Sequence, residues 1–250
     1  MSAPVVAVLH HLERPFSGHA GAVLHGAGVV LEERDVRRGD PLPELSEVDG
    51  ILSLGGEQSV LDIDREPGLT AEAALLRAAV DHDVPVLGVC LGGQLLAHAL
   101  GGRVRRRPRR LVAWVPLEAL PAAHDDPLLG ALPDGAAGLH FNEDGVELPP
   151  GAIELLRGPG HGAEAFRVGP CAWGVQFHAE VDPQALDGWY RDWPYALEEA
   201  GVTEEQARAA DARHLAGQRA LSEALFGGFA RVVDALRQDD RARSASPGGR

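Results

Sequence analysis

Four short runs rich in apolar residues, separated by segments of helical periodicity, restrict this chain's fold more than any other feature. They are PVVAVLH (Pro4 to His10), VVLEERDV (Val29 to Val36), DGILSLGG (Asp49 to Gly56) and VPVLGVC (Val84 to Cys90). Between them lie a helical stretch from about Gly18 to Gly26, and a second behind Pro67 with Leu69, Ala73, Leu76 and Val80 on one face. A third helix is expected from Gln94 to Leu100. An apolar run without polar alternation needs cover on both faces, so the pattern predicts a mostly parallel sheet between helical layers. VVLEERDV is the most polar run and is expected to be the most exposed strand.

After Gly102 the pattern changes. LVAWVPLEAL, AAGLHFN, AIELLRG, EAFRVG and CAWGVQFHAE are short runs broken by Pro, Gly and Asp, which predicts an added antiparallel section. Val202 to Arg237 returns to helical spacing, with Leu215, Leu221, Leu225, Phe229 and Leu236 at apolar positions. Residues 1–237 are therefore expected to form one domain, and residues 238–250 (QDDRARSASPGGR) a disordered tail.

Charge excludes several functions. The formal net charge of -14 argues against nucleic-acid binding, which needs a basic face. RVRRRPRR (Arg103 to Arg110) reads as a solvated connector after a helix end rather than as an anion site. Two distant cysteines make no disulfide framework and point to a reducing, cytoplasmic setting. The N-terminus lacks the basic segment of a signal peptide, and no apolar run is long enough to span a membrane.

The chemistry centres on GVCLGGQLLAHALGG, which places Cys90 between an apolar strand and a glycine-rich helix start. A sharp strand-to-helix turn raises its residue above the sheet edge, and the helix N-terminus stabilises a thiolate. Taken alone, the stretch suits a buried core cysteine equally well. WGVQFHAE supplies a base and an orienting carboxylate, since residues two apart in an extended chain, here His178 and Glu180, share a face. An isolated His-x-Glu is more often a surface pair.

Other histidines read as structural or solvated: His10 and His11 at a strand end, His98 in a helix, and His82, His124, His161 and His214 in surface segments. The Cys, His and Glu residues form no compact zinc pattern, and no phosphate-binding GxxxxGK[ST] is present. No cofactor is expected.

Together, VPVLGVCLGGQLLAHALGG and GVQFHAE resemble the class I (triad) glutamine amidotransferases, particularly the amidotransferase part of GMP synthase. LSLGGEQSV and LHFNEDGVELPPGAIELL support the resemblance, which runs from about Pro4 to Val181, with RHLAGQRALSEALFGGF similar to the family's closing helix. It implies a flavodoxin-like three-layer α/β open sheet. It also implies that Cys90 attacks the glutamine side-chain amide to give a γ-glutamyl thioester, with His178 as general base and then acid, oriented by Glu180. Backbone N–H groups of Gly56 and Leu91 correspond to the oxyanion hole. Gln94, and the segment Asn142, Glu143 and Asp144, correspond to substrate-binding positions.

Some positions depart from the family. Glu57 stands where many relatives carry proline, Asn142–Glu143 where they often show His-Gly, and Leu111 and Ala113 where they often read Glu and Gly. The triad positions are intact, and the substrate pocket is altered. The leading expectation is a glutaminase passing ammonia to a separate synthetase subunit. The alternative is a stand-alone hydrolase of γ-glutamyl compounds, and the third a non-catalytic module in which Cys90 is oxidised. The expected partner is a small molecule, with no nucleic acid and no membrane.

Overall fold

Alternate residues of β1 (Val5–His11) enter two different cores, which is what a strand buried on both faces requires. Val6 and Val8 pack with α1 (Gly18–Gly26) and α6 (Glu204–Ala245), through Leu24, Leu225 and Phe229. Ala7 and Leu9 pack on the opposite face with α2 (Pro67–Asp81) and α3 (Leu91–Ala99), through Leu76, Leu95 and Leu96. These two cores and the sheet between them are the three layers. The computed structural model describes residues 2–159 and 162–245.

The main sheet has eight strands in the order β2-β1-β3-β4-β10-β9-β8-β6. β2 (Val30–Asp35), β3 (Gly50–Gly56), β4 (Val86–Val89) and β10 (Ala172–Val175) join β1 in parallel pairing. β9 (Gly162–Val168), β8 (Ile153–Gly158) and β6 (Glu118–Ala119) continue it antiparallel. A separate two-stranded ribbon pairs β5 (Arg103–Pro116) with β7 (Ala137–Glu147). A third core seats α4 (Pro183–Asp192) and α5 (Pro194–Ala200) on this ribbon, through Val112, Leu139, Trp189 and Leu197. The expected α/β architecture with an antiparallel addition is the one observed, and β2 is the exposed edge strand.

Several local expectations change. α3 starts at Leu91, directly after Cys90 and not at Gln94, because Gly92 and Gly93 are helical residues packed against the sheet rather than turn residues. CAWGV belongs to the parallel core through β4 and turns antiparallel only on its β9 side. α4 and α5 fill a stretch for which the apolar periodicity gave no helix.

Arg103 to Arg110 is strand, not connector: its arginines find carboxylates across the ribbon, Arg105 with Glu147 and Arg106 with Glu143 and Asp144. α6 continues to Ala245, through residues expected in a disordered tail, and Arg237 and Arg241 bond Ser2 at the other end of the chain. The rest of that tail and His161 lie outside the described residues. Among the described residues no helix is long and apolar enough to cross a membrane.

Candidate active site

In open α/β sheets ligands collect beyond the carboxyl ends of the parallel strands. β1, β3, β4 and β10 all finish at one cleft, lined by His10, Gly56, Cys90 and His178.

Cys90 takes φ 52° and ψ -106°, a conformation that side-chain-bearing residues rarely adopt. Its N–H donates to Val175 O at 2.8 Å, so the turn is fastened to β10. The turn is possible because glycines flank it. A Cβ on Gly88 would lie 2.5 Å from the Gly92 carbonyl carbon, and a Cβ on Gly92 would overlap Ser53 O. Helix and strand can approach this closely only without side chains there.

His178 follows β10 as an isolated bridge residue between two bends, outside the strand that would have paired it with Glu180 by simple alternation. The two still meet, with Nδ1 2.6 Å from Glu180 Oε1, and the Cys90 sulfur lies near enough to help raise the pKa of the imidazole. The bend is held from two sides. His178 N donates to Leu139 O on β7 at 2.8 Å, and Gln218 Nε2 on α6 donates to His178 O at 2.7 Å. Ser222 Oγ on α6 donates to the neighbouring Ala179 O. Burial opposes a charged imidazole, but the Glu180 carboxylate and the Cys90 sulfur outweigh it and raise the pKa of His178 to about 10. The ring is therefore a proton-holding group beside a sulfur and is set in place by a carboxylate.

Gly56 and Leu91 line the cleft beside Cys90. Gln94 is buried and donates through Nε2 to Gln176 Oε1 at 3.2 Å, and Gln176 Nε2 lies 3.7 Å from Cys90 Sγ. Gln176 has no evident role within GVQFHAE as a sequence; only the fold shows it spanning Gln94 and the cysteine.

β7 supplies the polar wall. Asn142 Nδ2 meets His140 Nδ1 at 3.0 Å, and His140 Nε2 lies 2.9 Å from Glu164 Oε2. Burial lowers the His140 pKa against the pull of Glu164. Asp144 is buried and accepts from Ser59 Oγ at 2.6 Å; burial raises its pKa, with Ser59 and Arg106 opposing. Glu143 pairs with Arg106 and, at 3.1 Å, with Arg110, whose Nε is 2.8 Å from Glu199 Oε2. Arg110 lines the cleft. Neither Arg110 nor His140 could be chosen from sequence, since one sat in a run of arginines and the other carried no spacing signal.

Comparisons with known proteins bear on the family and the fold. The family model "Glutamine amidotransferase class-I" matches residues 31–190. The chain belongs to the class I glutamine amidotransferases. One subunit of a glutamine-hydrolysing GMP synthase from Haloarcula marismortui is 34% identical over 168 residues, 63% of this chain and 82% of that one. A glutamine amidotransferase-like protein of Salmonella typhimurium, YfeJ, is 29% identical over 176 residues, 68% of this chain and 74% of the relative.

A crystal structure of a glutamine amidotransferase from Thermotoga maritima superposes with a TM-score of 0.81 at 23% identity, covering 92% of this chain and 98% of that one, and shares the fold. Membership in the class I amidotransferases places the chain among enzymes. Among the described residues, no group of three or more His, Cys, Asp or Glu side chains could hold a metal ion.

Proposed function

We propose that the chain cleaves the side-chain amide of glutamine through a covalent intermediate on Cys90. The single observation that supports this best is that Cys90, held at positive φ, shares one cleft at the strand ends with His178, whose Nδ1 is hydrogen-bonded to Glu180. Sγ attacks the amide carbon, and the carbonyl oxygen takes up negative charge against the N–H groups of Gly56 and Leu91. His178 gives its proton to the leaving nitrogen as the C–N bond breaks, and ammonia departs. Water, deprotonated by His178, then attacks the thioester carbon, and breaking the C–S bond releases glutamate.

Gln94, Asn142, Glu143 and Asp144 hold the α-amino and α-carboxylate end of the substrate in this reading. The cleft presents a guanidinium and a carboxylate, Arg110 and Glu143, which pair with each other at 3.1 Å. Likeness to one subunit of a GMP synthase supports delivery of the ammonia to a separate synthetase subunit. The site needs no cofactor for these steps, and a cytoplasmic setting suits its free thiol.

A second reading is that the amide belongs to a larger γ-glutamyl compound and no acceptor is needed. It is favoured by the aromatic residues Phe141, Trp189, Trp193 and Tyr195 lining the same cleft. Ammonia release from glutamine by the purified chain, compared with Cys90→Ser and His178→Ala, tests the chemistry common to both. Activity in the wild type and its loss in both variants is expected. Equal activity in Cys90→Ser would remove the cysteine from the mechanism.

A further inference from the structure

One wall of the cleft is aromatic, and cleavage of a primary amide makes no use of it. Trp189 packs edge-on against His178, with ring centroids 4.9 Å apart and planes at 78°. Trp193 lies 5.7 Å from Trp189 and 6.0 Å from Phe141 between centroids. Tyr195 is 47% exposed, with the Arg110 guanidinium 5.6 Å from its ring centroid. Phe16 lines the cleft from the loop after β1.

Part of this group is structural, since Trp189 belongs to the core under α4 and α5. Trp193 is only half-buried and Tyr195 is exposed, yet both face the cleft.

The position matters more than the composition. His178 protonates the leaving nitrogen, so whatever that nitrogen carries must sit on the His178 side of the scissile bond. Trp189 packs on the His178 ring itself, and Trp193 extends that wall along the cleft. Ammonia is small and polar and gains nothing from an aromatic wall, whereas a ring or alkyl group gains contact area and stacking there.

We propose that the preferred substrate is a γ-glutamyl amide whose nitrogen bears an aromatic or bulky apolar group, received between Trp189, Trp193 and Tyr195. The inference rests on the second reading above, with Cys90 as the amide nucleophile. The overall change is γ-glutamyl-NHR plus water giving glutamate plus RNH2. Sγ displaces the amine, His178 supplies its proton, and water returns the sulfur.

The test compares kcat/KM for γ-glutamyl benzylamide, γ-glutamyl methylamide and glutamine, in the wild type, Tyr195→Ala and Trp193→Ala. The expected result is a preference of about tenfold or more for the benzylamide over glutamine, with the methylamide between them. Each variant should reduce that ratio, and the exposed Tyr195 position gives a variant that keeps its fold. The proposal is overturned if glutamine is cleaved as well as or better than the benzylamide, or if neither variant changes the ratio. Failure to cleave any of the three, with no acylation of Cys90, would instead overturn the amide chemistry itself and the inference with it.

Discussion

The backbone N–H of His178 donates to the carbonyl of Leu139 at 2.8 Å, an isolated bridge between the bend carrying the imidazole and the ribbon strand carrying Asn142. The imidazole proposed as the base and the polar wall of the cleft thus share one connection. On its other side His178 O accepts from Gln218 Nε2 of α6, a helix distant in sequence.

Gln218→Ala should accordingly lower kcat while leaving KM nearly unchanged, because it loosens the base without touching the polar wall. Losing a buried hydrogen bond also costs about 1–3 kcal/mol of stability. Steady-state kinetics alongside a urea melt separates the two effects. A rise in KM alone would place Gln218 outside the positioning of the base.

Cys90 is held in a conformation that favours glycine. Cys90→Gly should be at least as stable as Cys90→Ala, by roughly 1 kcal/mol or a few degrees in Tm, while both are inactive. Calorimetry of the two variants measures this. A clearly less stable glycine variant would mean that the turn is not strained.

The raised pKa of His178 makes a pH prediction. A group that binds its proton more tightly when folded adds stability in full below its unfolded value, near 6.5, and loses it as pH rises through about 10. The stability difference between wild type and His178→Ala should therefore shrink steadily from pH 6 towards pH 10, read as urea midpoints at each pH. A difference that grows with pH would contradict the imidazolium form.

Much of this was legible in the sequence for identifiable reasons. Continuous apolar runs announce strands buried on both faces, and a cysteine followed by Leu-Gly-Gly announces a strand-to-helix turn. The pairing of Cys90 with His178 depended on family likeness, because nothing in local spacing brings β4 beside β10. What periodicity could not supply is long-range pairing between charges. Arg106 and Arg110 look solvated until β5 lies against β7, and Gln176 has no visible partner until the two strand ends meet. Along the extended α6, Arg237 and Arg241 likewise reach Ser2, a long-range contact that periodicity does not show.

The central claim, a γ-glutamyl thioester on Cys90, is tested most directly by acid-quenching the protein during turnover and measuring its mass and peptide map. Cys171 is an internal control, because burial, with Asp83, pushes its thiol up to about 11. A γ-glutamyl adduct on the Cys90 peptide, absent from Cys171 and from the Cys90→Ser protein, is the predicted result. Turnover without any adduct at Cys90, or an adduct at Cys171, would contradict it.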